Sequence, residues 1–189
     1  ARLVKAGHAV VLGSRTIRPE CPDAMATVSY TVAAENAELV VLTTDWADCA
    51  GALAAAGSLV GKILLDCTNP DRPDGYSLAV GRDTSGAEEN ARSAPGAAVV
   101  KALNHVWAET VEDPHMGQRR PVTFVCGDGV VAKQVVITLL RELGFTPVDV
   151  GGLISARYTE PLAVLTVSMV TRQGWDPKGV ELAIAGADR

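Results

Sequence analysis

The sequence lacks any apolar run of the roughly 18 residues that a membrane-spanning helix needs, and we expect no signal peptide. It also lacks a cluster of lysine and arginine of the kind that binds nucleic acid, and its formal net charge is -5. Only 4% of its 189 residues are aromatic, whereas 48% are hydrophobic. These features predict an ordinary globular protein of the cytoplasm, with neither a membrane nor a nucleic acid as its partner.

Residue patterns for metal binding and nucleophilic catalysis are missing as well. Cys21, Cys49, Cys67 and Cys126 are scattered without a C-x-x-C pair, which predicts reduced, mostly buried thiols and no zinc site or disulfide framework. The three histidines have no partners at metal-ligand spacing, so we expect them to be solvated or structural. Neither a G-x-S-x-G elbow nor a P-loop occurs. A redox enzyme stays compatible with these absences, because in hydride transfer the cofactor carries the chemistry.

Short apolar runs alternate with helix-favouring segments along most of the chain. This alternation predicts a doubly wound, mostly parallel α/β sheet whose strands are buried on both faces. Ser85 and Glu88 have capping-box spacing, and Asp45 precedes another helix as its N-cap. We expect strands at 8–12, 38–44, 62–68, 97–103, 121–127 and 146–151, and helices at 45–57, 85–96, 129–143 and 153–173. The sheet domain covers residues 1–151, and a C-terminal helical segment covers 152–189.

Ligands of a doubly wound sheet bind beyond the carboxyl ends of its strands, so the residues that directly follow the strands are the site candidates. Several have an ordinary structural alternative: Asp45 as a helix cap, Trp46 as core packing, and Asn69 with Pro70 as a turn. The candidate cofactor-binding residues are Ser14, Arg15, Arg18, Thr43, Thr44, Trp46, Asn69, Pro70, Ala102 and Asn104.

The segment "VLGSR" is the most informative of these strand ends. In a dinucleotide-binding fold the second strand ends beside the adenosine ribose, where an acidic residue binds the ribose hydroxyls of NAD. Here a hydroxyl and a guanidinium stand in that place, at Ser14 and Arg15, with Arg18 nearby. Such groups suit a 2'-phosphate, so they favour NADP. The alternative is a solvated loop arginine beside a helix-capping serine.

Five segments in chain order, "AGHAVVLGSR", "AELVVLTTDW", "KILLDCTNP", "SGAEENARSAPGAAVVKALN" and "GLISARYTEPLAVL", together resemble the NADPH-dependent coenzyme F420 reductases and their bacterial relatives. The resemblance implies a Rossmann domain with a small C-terminal helical part and NADP as the dinucleotide. It also implies a homodimer and hydride transfer between NADPH and a small-molecule redox substrate, the deazaflavin coenzyme F420. Some members of this family use another acceptor, so the resemblance supports NADP more strongly than F420.

By this resemblance, Ser14 and Arg15 match the residues that bind the 2'-phosphate. Thr43 and Trp46 match the strand end that lines the NADP cleft, although this chain has Asp45 where the family usually has proline.

The later segments match the reacting end of the site. Residues 69–70 match the turn near the nicotinamide, and residues 102–104 match the segment that faces the second substrate. Arg157 and Glu160 match the "ARYxEP" pattern of the family, as a structural ion pair or as part of the site.

The chain departs from the family at its start. The family's first strand and its G-x-G-x-x-G turn precede the helix that ends at Gly7, and neither occurs in this sequence. The segment "GDGVVAKQ" at 127–134 is no substitute, because it lacks the third glycine. The first strand is central in the order 3-2-1-4-5-6, so strands 2 and 4 of that order are expected to have unpaired, buried edges.

Three functions follow. The first is an oxidoreductase that transfers hydride between NADPH and F420 or a similar flavin-like acceptor. The second is a non-catalytic NADP-binding or sensing module. The third is a truncated family member without activity, since pyrophosphate binding depends on backbone N–H groups at a helix N-terminus.

Overall fold

The computed structural model describes residues 2–17, 26–115 and 120–176, and its elements follow the predicted alternation of strands and helices. The helices are α1 Arg2–Lys5, α2 Tyr30–Glu35, α3 Trp46–Ala56, α4 Gly86–Ser93, α5 Ala108–Glu112, α6 Val130–Glu142 and α7 Ala156–Gln173, with a 3-10 turn at Leu153–Ser155 before α7. The strands are β1 Val11–Gly13, β2 Ala26–Val28, β3 Leu39–Leu42, β4 Ile63–Asp66, β5 Ala98–Lys101, β6 Val122–Gly127 and β7 Thr146–Asp149. The predicted strands and long helices are confirmed, whereas α2, α5 and β2 are elements that the sequence reasoning missed.

Strand pairing confirms the predicted α/β class, a Rossmann-like and mostly parallel arrangement. Five strands form one sheet in the order β3-β4-β5-β6-β7. The pairs β3–β4, β4–β5 and β6–β7 are parallel and the pair β5–β6 is antiparallel, so β6 and β7 run opposite to β3, β4 and β5. β1 and β2 form a separate parallel pair.

β1 differs from its prediction as a strand buried on both faces. Val11 and Leu12 keep 42% and 45% of their surface exposed. β2 pairs with one side of β1, and α2 covers Gly13, but no strand of the described residues pairs with the other side. The sequence predicted an unpaired edge on this second strand, which agrees with the described residues, but the predicted burial was wrong. Apolar side chains stay exposed where no second layer packs on them.

Both faces of the five-stranded sheet are covered, because neighbouring residues of one strand point to opposite faces. On β4, Leu64 packs into a core with α3 and α4, whereas Leu65 packs into a second core with α6. All four residues of the pairs Leu64–Leu65 and Val99–Val100 are buried. Continuous apolar strands are therefore required, as the sequence predicted.

Helix ends follow the capping signals in part. The Ser85 hydroxyl accepts a hydrogen bond from the Glu88 N–H at 3.2 Å, which confirms Ser85 as the N-cap, and it donates to Glu88 Oε2 at 2.8 Å, so the carboxylate binds the hydroxyl rather than the Ser85 N–H of a full capping box. Asp45 stands at the N-cap of α3 but its side chain makes no capping bond. Gly57 ends α3 with φ of 79°, in the left-handed region that favours glycine.

The predicted C-terminal helical segment begins with α7, and its residues beyond 176 lie outside the described ranges. No helix in those ranges combines the length and apolar character that crossing a bilayer requires.

Candidate functional site

Three strand ends meet at one edge of the sheet. Leu42 of β3, Asp66 of β4 and Lys101 of β5 are partners across the parallel ladder, so the segments that follow them leave the sheet side by side. Those segments, at 43–46, 67–70 and 102–104, include most of the predicted site residues. The carboxyl edge of β3, β4 and β5 is therefore the candidate site, at the position where doubly wound sheets bind ligands.

The turns of β4 and β5 are joined by a reciprocal amide pair. Asn69 Nδ2 donates to the Asn104 carbonyl at 2.7 Å, and Asn104 Nδ2 donates to Asn69 Oδ1 at 2.9 Å. Leu103, which directly precedes Asn104, has a φ of 63°, a left-handed conformation that leucine rarely adopts. Backbone strain of this kind concentrates at functional sites, because the surrounding structure must hold it in place.

Two predicted site residues of these turns have buried side chains. Ala102 is fully buried, and Pro70 is buried against Gly86 at the start of α4. Neither residue is therefore exposed at the surface of this site. Asn104 Oδ1 is also buried and has no hydrogen-bond partner among the described residues.

At the end of β3, Thr43 is exposed, whereas the Thr44 hydroxyl lies 3.4 Å from the Cys49 thiol. Trp46 begins α3 and packs against the core, as its structural alternative predicted. Its side chain also lines a pocket of about 380 Å³ between α3 and α4, with Asn90 on the opposite wall. Trp46 therefore contributes both to the core and to the wall of this pocket.

Ser14 and Arg15 follow β1 and lie beside the first turn of α3. The Arg15 guanidinium donates to both carboxylate oxygens of Asp48, at 3.2 Å and 2.9 Å. The Ser14 hydroxyl accepts from the Thr16 N–H at 3.1 Å. The Arg15 side chain is 71% exposed, and an exposed ion pair is worth about 0–1 kcal/mol, so Arg15 can exchange Asp48 for another anion at small cost. Arg18 lies outside the described residues.

A buried ionic cluster that sequence reasoning missed lies under the site. Lys101 Nζ is 3.3 Å from Asp66 Oδ2 and 3.1 Å from Glu160 Oε1, and all three side chains are at most 1% exposed. Burial disfavours the charged lysine, but the two carboxylates outweigh that effect and raise the pKa of Lys101. Lys101 is therefore a buried ammonium that balances one of two carboxylates.

Glu160 also binds the first backbone amides of α4. Its Oε2 accepts from the Gly86 N–H at 2.9 Å and its Oε1 from the Ala87 N–H at 3.0 Å. The positive end of the helix dipole stabilises the remaining negative charge of the cluster. Arg157 pairs with Glu88 at 2.7 Å, so Arg157 and Glu160 do not form the ion pair with each other that the sequence allowed.

The sequence does carry a signal for this cluster. An apolar strand that ends on lysine, "AAVVK", and another that ends on aspartate, "KILLD", place opposite charges at buried positions. Charged residues are seldom buried unless they are paired. The partner choice depends on strand register, which the sequence alone does not show.

The segment at 127–134 is excluded as a phosphate loop of this site by the direction of β6. Because β6 runs antiparallel to β5, the helix that follows it begins at the opposite edge of the sheet from residues 43–46. This geometry agrees with the sequence, in which the segment lacks a third glycine.

The described cysteines and His105 have structural surroundings. Cys49, Cys67 and Cys126 are free thiols, and burial raises the pKa of Cys126 to about 12. Cys21 lies outside the described residues. Within the described ranges no group of three or more histidine, cysteine or acidic side chains is arranged to hold a metal ion.

The buried His105 predicts that the free energy of unfolding falls in acid. Its Nε2 accepts from the Phe124 N–H at 3.2 Å, and burial lowers its pKa to about 4. The unfolded chain takes up this proton near pH 6.5 and the folded chain does not, so stability falls as the pH falls below about 6.5. Relative to His105→Gln, whose amide keeps an acceptor, we expect the wild type to lose about 2 kcal/mol of unfolding free energy between pH 7 and pH 5. Equal losses in urea titrations of both proteins would contradict this assignment.

No protein-family model matches the chain. The metalloreductase STEAP3 of Rattus norvegicus is 34% identical over 170 residues, which cover 87% of this chain and 34% of STEAP3. The metalloreductase STEAP2 of Homo sapiens is 30% identical over 171 residues, which cover 88% of this chain and 34% of STEAP2. The chain thus spans about a third of the length of these curated relatives.

Solved structures cover the chain more fully. A reductive aminase from Aspergillus terreus, in complex with NADPH and ethyl levulinate, has a TM-score of 0.65 at 21% identity, which shows the fold alone. The match covers 92% of this chain and 57% of the aminase. A candidate F420-dependent NADP-reductase from Arthrobacter sp. FB24 has a TM-score of 0.85 and 32% identity, over 97% of this chain and 91% of that protein. With this identity over nearly the full length of both proteins, the chain belongs to the same family as the Arthrobacter NADP-reductase.

Proposed function

We propose that this chain binds NADPH at the carboxyl edge of β3, β4 and β5 and transfers its hydride to coenzyme F420 or a similar flavin-like acceptor. The observation that carries the proposal is the likeness to the Arthrobacter NADP-reductase over nearly the whole chain. NADPH, when bound, supplies a hydride, and the acceptor gains that hydride together with one proton from water. The protein then has to bind and orient two rings, which needs no nucleophilic side chain.

The described residues support this division of labour. Arg15 and Ser14 lie beside α3, where the proposal puts the adenosine end of NADPH, and offer a guanidinium and a hydroxyl to its 2'-phosphate. The amide pair of Asn69 and Asn104 stands at the end of β4 and β5, where the family resemblance puts the nicotinamide and its acceptor. Neither position requires the protein to hold a proton.

A second candidate is reduction of a metal ion. The STEAP relatives are named metalloreductases. In that case each hydride would supply two electrons, enough to reduce two ferric ions, and release one proton; a flavin would supply the step from two-electron to one-electron transfer. The non-catalytic NADP-binding module is a further alternative, and the homodimer and the cytoplasmic location stay predictions.

One set of titrations separates these functions. Calorimetry of the 189-residue chain with NADPH and with NADH measures binding, and loss of NADPH absorbance with F420, FMN or a ferric chelate plus FMN measures turnover. We expect tighter binding of NADPH than of NADH, and turnover with F420. Binding without turnover on any acceptor assigns the chain to the sensing module, and metal reduction without F420 turnover assigns it to the second candidate. Absence of NADPH binding overturns the F420 reductase, the metal reductase and the sensing module, and leaves the family member without activity.

A further inference from the structure

We propose that Thr68, held by the buried side chains of Asp66, Asn90 and Lys101, is a positioning residue that sets the turn at 67–70 for hydride transfer. This inference rests on the proposed function, because it assigns a role at the reacting end of the same site.

Thr68 is bonded through both its backbone and its side chain. Its N–H and its hydroxyl donate to Asp66 Oδ1, at 2.8 Å and 2.7 Å. Its carbonyl accepts from Lys101 Nζ at 2.7 Å, and its hydroxyl accepts from Asn90 Nδ2 at 3.3 Å. The residue has 5% of its surface exposed, so water does not compete for these bonds.

The bonds of Thr68 determine where the next residue lies. Asn69 follows Thr68 directly and forms the amide pair with Asn104 across the site. On the other side, the Cys67 N–H donates to the Leu42 carbonyl at 3.0 Å and extends the ladder to β3. Thr68 therefore joins the buried ionic cluster to the polar edge where the two rings are expected to meet.

Lys101 has a geometric reason to be a lysine in this arrangement. Its ammonium contacts Asp66, Glu160 and the Thr68 carbonyl at once. An ammonium has three N–H donors, so each contact uses one of them. Lys101 thus links β4, β5 and α7 to the turn. These buried contacts hold the turn in one backbone conformation.

Thr68→Val tests this inference, because it removes the hydroxyl but keeps the shape of the side chain. We expect kcat with NADPH to fall about tenfold or more while the KM for NADPH stays within about threefold, since a displacement of about 1 Å can cost about 100-fold in rate. Thr68→Ser restores the hydroxyl and should restore most of kcat. Glu88→Gln is the matched control, because it disrupts the Arg157 pair between α4 and α7 without touching the turn.

Hydrogen exchange of the backbone amides at 67–69, measured on the protein without NADPH, reads the turn independently of activity. We expect exchange about tenfold faster in Thr68→Val than in wild type and near wild type in Thr68→Ser. Unchanged exchange in Thr68→Val, unchanged kcat in an active enzyme, or a Thr68→Ser variant as impaired as Thr68→Val each overturns the inference. A wild type that binds no NADPH overturns the proposed function instead, and the exchange measurement still decides whether Thr68 holds the turn.

Discussion

Replacing Lys101 by methionine is expected to lower the free energy of unfolding by about 3–5 kcal/mol, because it leaves a buried carboxylate pair without its cation. Asp66 and Glu160 are at most 1% exposed, and Lys101 is the cation within 4 Å of both. Methionine fills a similar volume, so loss of charge rather than a cavity dominates the effect. Urea unfolding at neutral pH measures the change.

The control for Lys101→Met is Arg92→Met, which breaks an exposed ion pair with Glu89. Its cost should stay within about 1 kcal/mol, because solvent screens exposed pairs. Adding Asp66→Asn and Glu160→Gln to Lys101→Met removes both stranded charges and should recover part of the loss. A Lys101→Met protein within about 1 kcal/mol of wild type would show that the cluster does not stabilise the fold.

The double variant Ser14→Ala, Arg15→Ala is expected to weaken NADPH binding by about 3 kcal/mol, roughly 150-fold, with little change for NADH. The reason is that NADPH and NADH differ only at the 2'-phosphate, and hydrogen bonds to a charged group are worth about 1.5–3 kcal/mol each. Calorimetric titration with the two dinucleotides measures the ratio of their dissociation constants. Equal weakening of both would place Ser14 and Arg15 away from the 2'-phosphate.

Asp48→Asn is the matched variant for this test. Asp48 holds the Arg15 guanidinium by two hydrogen bonds, so it competes with an incoming phosphate and repels it. Removing its charge should tighten NADPH binding a few-fold, by about the 0–1 kcal/mol of an exposed pair, and leave NADH binding unchanged. Weaker NADPH binding in Asp48→Asn would show that Asp48 orients Arg15 rather than competing for it.

The elements that the sequence predicted best are those with local causes. The N-cap bond from the Glu88 N–H to Ser85 acts within four residues, and the apolar runs at 62–68 and 97–103 are continuous because both faces of their strands are covered. The short helix α2 was missed, although Ser29 caps it, because its start lies close behind a strand. Its side chains pack on α3 and β1, and such packing outweighs weak local signals.

The same distinction between local and long-range causes applies to the candidate site. The residue types at the strand ends, a hydroxyl and a guanidinium after β1 and amides after β4 and β5, were determined by the sequence alone, because chemistry belongs to side chains. The tertiary structure decided their partners: Asp48 for Arg15, Asn104 for Asn69, and Asp66 with Glu160 for Lys101. Those pairs join residues far apart in the chain, and only strand register and helix packing bring them within hydrogen-bond distance.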